Sequence, residues 1–215
     1  MKKRQIIDPK RPIDVIHETD VLVVGSGPGG LSAAIASARC GVNTTLLERF
    51  GCFGGNITVV GVEGFAWYRH EKTIEAGGIG REFEELAKEM GAAVPESQSL
   101  SYELDSEGFK LVADKLVMDS GIHPMLHRSF SMPIMEGNTV VGVIVESKAG
   151  REAILSKVVI DATGDADVAF RAGAQLNTMP VEELMATSVM FHLAGVDKKG
   201  FLSEIQNNPQ SYKDW

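Results

Sequence analysis

The sequence predicts an α/β protein whose mostly parallel sheet carries an antiparallel meander. Three observations lead there. Residues 20–24 form a short β-branched apolar run that ends in the spacing Gly25-x-Gly27-x-x-Gly30 and gives way to an Ala- and Leu-rich stretch. A second apolar run, 43–47, ends on an acid, Glu48. Far downstream, short segments at 129–135, 139–146 and 152–156 precede a strand at 157–161 that runs into Ala162, Thr163 and Gly164.

The first part has a physical logic at each step. Gly25 permits the tight turn out of the strand, Gly27 lets the backbone approach a pyrophosphate, and Gly30 allows close packing of helix on sheet. Residues 31–40 suit a helix, stopped by Gly41, whose free N–H groups and positive end face phosphate. Glu48, 18 residues after Gly30, is placed to accept from both hydroxyls of a ribose. A carboxylate there disfavours a 2′-phosphate, with Arg49 beside it as the countervailing charge. The order of strand, glycines, helix, strand and acid describes a Rossmann-like domain that binds a dinucleotide.

A simple nicotinamide domain would continue quickly to a third strand. Here residues 49–79 read as a long loop with aromatic and apolar content, and Gly54 and Gly55 mark a close backbone passage. Helices are expected at 80–90 and 107–120, then a strand at 122–126. Turns at 136–138 and 148–150 divide the meander. A short helix at 166–172 is ended by Gly173, a strand follows at 187–196, and a last helix at 201–206. The expected division is an N-terminal arm at 1–19, a cofactor domain at 20–176, and the beginning of a substrate or cap domain at 177–215.

Composition narrows the function class. A net charge of −8 argues against general nucleic-acid or anionic-membrane binding, and the basic residues Lys2, Lys3, Arg4, Lys10 and Arg11 read as a solvated arm. No apolar run reaches the length of a membrane span, and no apolar h-region follows the basic residues. Cys40 and Cys52 form no CxxC pair, which suits a reducing, cytoplasmic setting.

The stretches VVGSGPGGLSAAIASARCG, LLERFGCFGGN and VVIDATGDADVAFRAGA resemble the FAD-dependent oxidoreductase family. These are two-dinucleotide-fold flavoproteins of the glutathione-reductase-like type, with a GG loop after the ribose acid. The resemblance covers about residues 20–195. It implies FAD as the cofactor, held throughout turnover. It assigns Gly25, Gly27, Pro28 and Gly30 to the pyrophosphate, and Glu48 and Arg49 to the adenosine ribose. Gly54, Gly55 and Asn56 fall beside the flavin ring and pyrophosphate, and the Phe130 backbone at the adenine. Ala162, Thr163 and Gly164 pass over the cofactor. Asp165 either accepts from a ribityl hydroxyl or caps the helix that follows.

A flavin performs the redox step itself, so the protein need not show a nucleophile or metal cluster. Catalytic candidates are few. Arg69 and His70, flanked by Tyr68 and Glu71, lie in the loop after the GG turn, where a substrate would approach. His123 and His127 read as structural residues of the nucleotide domain, and His192 faces either core or pocket. Members of this group are usually about twice this length. The chain is therefore expected to act with a homo-oligomeric or separate partner that completes the site, to be a truncated form, or to bind flavin without catalysis. A small organic molecule is the expected substrate. An NAD-binding dehydrogenase is the weaker alternative.

Overall fold

A computed structural model describes residues 11–65, 69–70, 73–74, 77–96 and 101–211. The chain divides into two compact units, Met1–Leu184 and Met185–Trp215.

The first unit begins with β1 (Val15–Val24), α1 (Pro28–Arg39) and β2 (Thr44–Leu47), followed by a π-helical turn at Asn56–Val60. Next come the two-residue strands β3 (Arg69–His70) and β4 (Thr73–Ile74), then α2 (Ile79–Glu89), β5 (Ala93–Pro95) and β6 (Tyr102–Leu104). The remainder is α3 (Ser106–Asp119), β7 (His123–Met125), β8 (Ser129–Glu136), β9 (Thr139–Ser147), β10 (Gly150–Asp161) and α4 (Asp167–Arg171). The main sheet has the order β7-β2-β1-β10-β9-β8. Its β7, β2, β1 and β10 members pair in parallel, while β8, β9 and the start of β10 pair antiparallel.

That order requires a curled sheet. β7 and β8 stand at opposite edges yet are joined by residues 126–128 alone. Six strands laid flat would separate the edges by roughly 24 Å, while this link reaches about 15 Å. The meander therefore folds back across the parallel strands. One apolar cluster records the result: Leu22 and Val24 of β1, Leu47 of β2 and Met125 of β7 pack with Val143, Val145 and Ile154 of the meander.

The opposite face is covered by helices. Leu31 and Ile35 of α1, Phe83 and Ala87 of α2, and Phe109, Val112 and Val117 of α3 pack with Val23 and Leu46. Phe109 meets the Phe65 and Phe83 rings edge-on, with centroids 6.1 Å apart in each pair. Burial of each large side chain here stabilises the unit by about 1.5–3 kcal/mol. The result is three layers, with the open ends of β1 and β2 free to build a site.

Several boundaries differ from the sequence reading for identifiable reasons. The strand starting at residue 20 begins at Val15, because Val15 already pairs with Ala153 of β10. Its first half is exposed or half-buried, and His17, Glu18 and Asp20 hide it from an apolar pattern. The segments 152–156 and 157–161 are one strand, β10, whose early residues pair with β9 and whose later ones pair with β1. The polar break at Lys157 is an edge feature: its ammonium pairs with Asp20 at 2.6 Å. Helix α1 starts at Pro28 rather than 31, since proline suits the first helical position.

In the second unit the strand expected at 187–196 is absent: these residues are described without regular structure. A strand needs a ladder partner, and no described strand of this unit offers one. The helix expected at 201–206 is present as α5 (Lys198–Asn207), N-capped by Asp197, whose side chain accepts from the Gly200 N–H.

Candidate functional site: two glycine loops at the ends of β1 and β2

The chain leaves β1 through Gly25, whose φ of +97° requires glycine and whose N–H donates to the Leu47 carbonyl at 2.8 Å. Gly25 packs against the Ala162 segment: a Cβ there would stand 2.4 Å from the Ala162 carbonyl oxygen. Gly30 is equally constrained, because its Cβ would lie 2.0 Å from the Gly25 oxygen. Both glycines are therefore demanded by the protein's own packing.

Gly27 is different. Its φ of −61° is open to any residue, and a Cβ there would meet nothing within 4 Å. Packing alone gives no reason for glycine at this position. The position flanks the N-terminus of α1, which has no side-chain cap and no acid in its first turn. An open flank beside uncapped N–H groups and a positive helix end fits the close approach of a pyrophosphate.

A second glycine loop docks on the first. The Gly54 N–H donates to the Ser26 carbonyl at 2.9 Å. Gly55, at φ +56° and ψ −123°, brings its backbone so close that a Cβ would stand 2.6 Å from the Gly27 Cα. The loop is braced from within by Thr58, whose hydroxyl donates to the Phe53 carbonyl at 2.7 Å. Asn56 opens the π-helical turn and is exposed.

Glu48 ties the loops together. Its carboxylate is 5% exposed and accepts three hydrogen bonds. The Ser26 N–H (3.0 Å) and Ser26 hydroxyl (2.5 Å) donate to Oε2, and the Phe50 N–H (2.9 Å) donates to Oε1. These donors offset the cost of burying the charge. A carboxylate has about four acceptor positions, so these three bonds leave room for a ribose hydroxyl. Ser26, between Gly25 and Gly27, carries no spacing signal that marks it as a site residue in the sequence.

The other expected residues fall as follows. Arg49 is exposed, its guanidinium 4.7 Å from the Phe50 ring centre. Phe130 is half-buried on β8, paired with Val145, with Arg171 6.0 Å from its ring centre. Ala162 lies beside Gly25, its N–H donating to the Val24 carbonyl at 2.9 Å. Gly164 and Asp165 are exposed. The capping role for Asp165 is corrected: Ala166 occupies the cap position at φ +56°, and α4 is shorter than expected. Thr163 Oγ1 accepts from the Asp167 N–H and Asp161 Oδ2 from the Ala169 N–H, each at 2.9 Å. Asp161 Oδ1 also accepts from the Thr163 N–H and hydroxyl, so two residues upstream do the work assigned to Asp165.

Arg69 and His70 form β3, paired with β4, and their side chains lie outside the described residues, as do Tyr68 and Glu71. His123 stacks on His17, with ring centroids 4.5 Å apart. Cys40 is exposed, and Cys52 is half-buried with Sγ 3.9 Å from Thr58 Oγ1.

Comparison with known proteins agrees with this geometry. The profile of the family described as FAD dependent oxidoreductase matches residues 20–214. Thiamine thiazole synthase from Metallosphaera sedula is 34% identical over 69% of this chain and 55% of its own length. The synthase of that name from Saccharolobus islandicus is 33% identical over 70% and 57%. The chain thus spans little more than half the length of these curated relatives. Among solved structures, Thermovibrio ammonificans THI4 shares the fold with a TM-score of 0.52 and 22% identity, covering 72% of this chain and 61% of that one. No described helix is long and apolar enough to cross a membrane. With its nucleotide loop, its meander and a family match over nearly its whole length, the chain belongs to the FAD dependent oxidoreductase family, and its cofactor is FAD.

Proposed function

We propose that this chain is the flavin-binding part of a cytoplasmic oxidoreductase that moves a hydride or electrons between a small organic substrate and FAD. The observation that carries the reading is the docking of Gly55 on Gly27, which leaves one open flank beside the uncapped end of α1. Bound there, FAD supplies the redox chemistry at its ring.

In this reading the protein binds and orients. The Gly25–Gly30 loop and the first turn of α1 hold the pyrophosphate. Glu48 accepts from a ribose hydroxyl, Arg49 lies alongside the adenosine, and the Phe130 backbone meets the adenine. Gly54, Gly55 and Asn56 fall toward the flavin, while the segment from Ala162 to Asp165 covers the cofactor, with Asp165 free to accept from a ribityl hydroxyl. Arg69 and His70 are the candidates for meeting substrate.

The likeness to the thiamine thiazole synthases covers little more than half of their length, and a shared fold does not by itself carry a thiazole-forming reaction to this chain. A second copy or a partner chain completes the substrate side of the site. Met185, Val189, Phe191 and Leu193 are apolar side chains that their own unit leaves uncovered, which supports that reading.

The test is anaerobic. FAD-loaded chain, alone and with any copurifying partner, is mixed with a panel of small amines, alcohols, hydroxy acids and thiols while its visible absorbance is followed. Bleaching by one class, reversed by an acceptor, is the expected result. A flavin reduced by dithionite but by no organic donor in any preparation would favour a non-catalytic flavin-binding subunit.

A further inference from the structure

His127 lies two residues past β7 and holds a φ of +56°. Among the described residues only Ala166 shares a positive φ without being glycine. A left-handed backbone is costly for a residue bearing a Cβ, and such residues gather where a site requires them. Burial does not hold His127 there, because the residue is exposed. Glycine would be the unstrained choice at this position.

The backbone around it extends the sheet toward the ribose acid. The Glu48 N–H donates to the Met125 carbonyl at 2.9 Å and the Arg128 N–H to the Glu48 carbonyl at 3.0 Å. The His127 N–H donates to the Phe50 carbonyl at 3.1 Å. The imidazole lies on Gly51: a Cβ at Gly51 would stand 2.6 Å from Cε1 and 2.9 Å from Nε2 of His127. The ring thus fills the side-chain space of Gly51, three residues after Glu48. Neither ring nitrogen has a hydrogen bond among the described residues.

We infer that His127 is a positioning residue for FAD, clamping residues 49–51 beside Glu48 and offering an imidazole nitrogen to the adenosine half of the cofactor. The inference rests on the assignment of this edge to adenosine. It accounts for the strained backbone, the matching glycine at 51 and the unengaged ring together. It departs from the reading of His127 as a structural residue of the nucleotide domain.

The experiment compares the parent chain, His127→Gly and His127→Asn, each stripped of flavin. FAD and ADP are titrated in by fluorescence and calorimetry, and melting temperatures are taken without ligand. His127→Gly should bind both ligands about tenfold more weakly, a typical cost of one hydrogen bond with its positioning, while melting no lower than the parent. His127→Asn tolerates the left-handed backbone and keeps polar atoms, so it should stay within about threefold of the parent. A His127→Gly chain that binds both ligands as tightly as the parent overturns the inference. So does an affinity loss matched by a lower melting temperature and unrelieved by asparagine, which would assign the ring to packing. A parent chain that binds neither FAD nor ADP overturns the cofactor reading and the inference together.

Discussion

The Ser26 hydroxyl donates to Glu48 Oε2 at 2.5 Å, joining the glycine loop after β1 to the acid that follows β2. Both residues are buried, so neither group has water as an alternative partner. The loop is therefore shaped before any ligand arrives, which lowers the ordering cost of binding. Ser26→Ala removes this donor from a buried carboxylate and should destabilise the chain by about 1–3 kcal/mol. Affinity for FAD should fall about tenfold, equivalent to about 1.4 kcal/mol. Urea unfolding and flavin titration measure the two effects separately.

Gly27 and Gly30 make opposite predictions although both belong to one motif. At Gly30 a Cβ would lie 2.0 Å from the Gly25 oxygen, so Gly30→Ala should cost at least about 1–3 kcal/mol of stability by forcing helix and strand apart. At Gly27 a Cβ meets nothing, so Gly27→Val should leave the melting temperature of the flavin-free chain nearly unchanged and abolish FAD binding. A Gly27→Val chain that loads fully with FAD would remove the open flank from the site.

The structure explains why some of this was legible in the sequence and some was not. Gly25, Gly27, Gly30 and Glu48 were readable because strand, turn and helix lie adjacent in the chain, and their spacing is fixed by local geometry. Ser26, Asp161 and His127 were not, because each acts through partners distant in sequence or through a dihedral angle that composition does not encode. The long β10 was split at Lys157 for a related reason: an exposed charge on a strand edge looks like an interruption when its partner, Asp20, is far away in the chain. The strand expected at 187–196 had the right residues and no described partner to pair with.

Asp161→Ala tests the corrected cap of α4. The substitution removes the acceptor of the Thr163 N–H, the Thr163 hydroxyl and the Ala169 N–H. Loss of such a cap costs about 1 kcal/mol. Hydrogen exchange should accelerate at residues 163–169 while the helices on the other face stay protected. Asp165→Ala should leave that exchange unchanged.

The His17–His123 stack predicts an acid-sensitive element at the far end of the sheet. Burial first, and the neighbouring His123 second, hold the His17 pKa below the ordinary value of 6.5. The unfolded chain then binds the proton more readily, so the stabilising contribution is complete above about pH 6.5 and is lost as pH falls through that value toward the folded pKa. Urea midpoints at about pH 7.5 and about pH 5.5 should differ more for the parent than for His17→Asn. Equal differences would show that His17 titrates alike in both states.

Two glycine loops, clasped by Ser26 and Glu48, are the FAD site proposed for this chain. Titration of flavin-free protein with FAD, read by flavin fluorescence, tests it most directly. Saturable binding at one FAD per chain is expected, abolished by Gly27→Val without a change in melting temperature. Absence of saturable binding by folded parent chain, or equal binding by Gly27→Val, would contradict it.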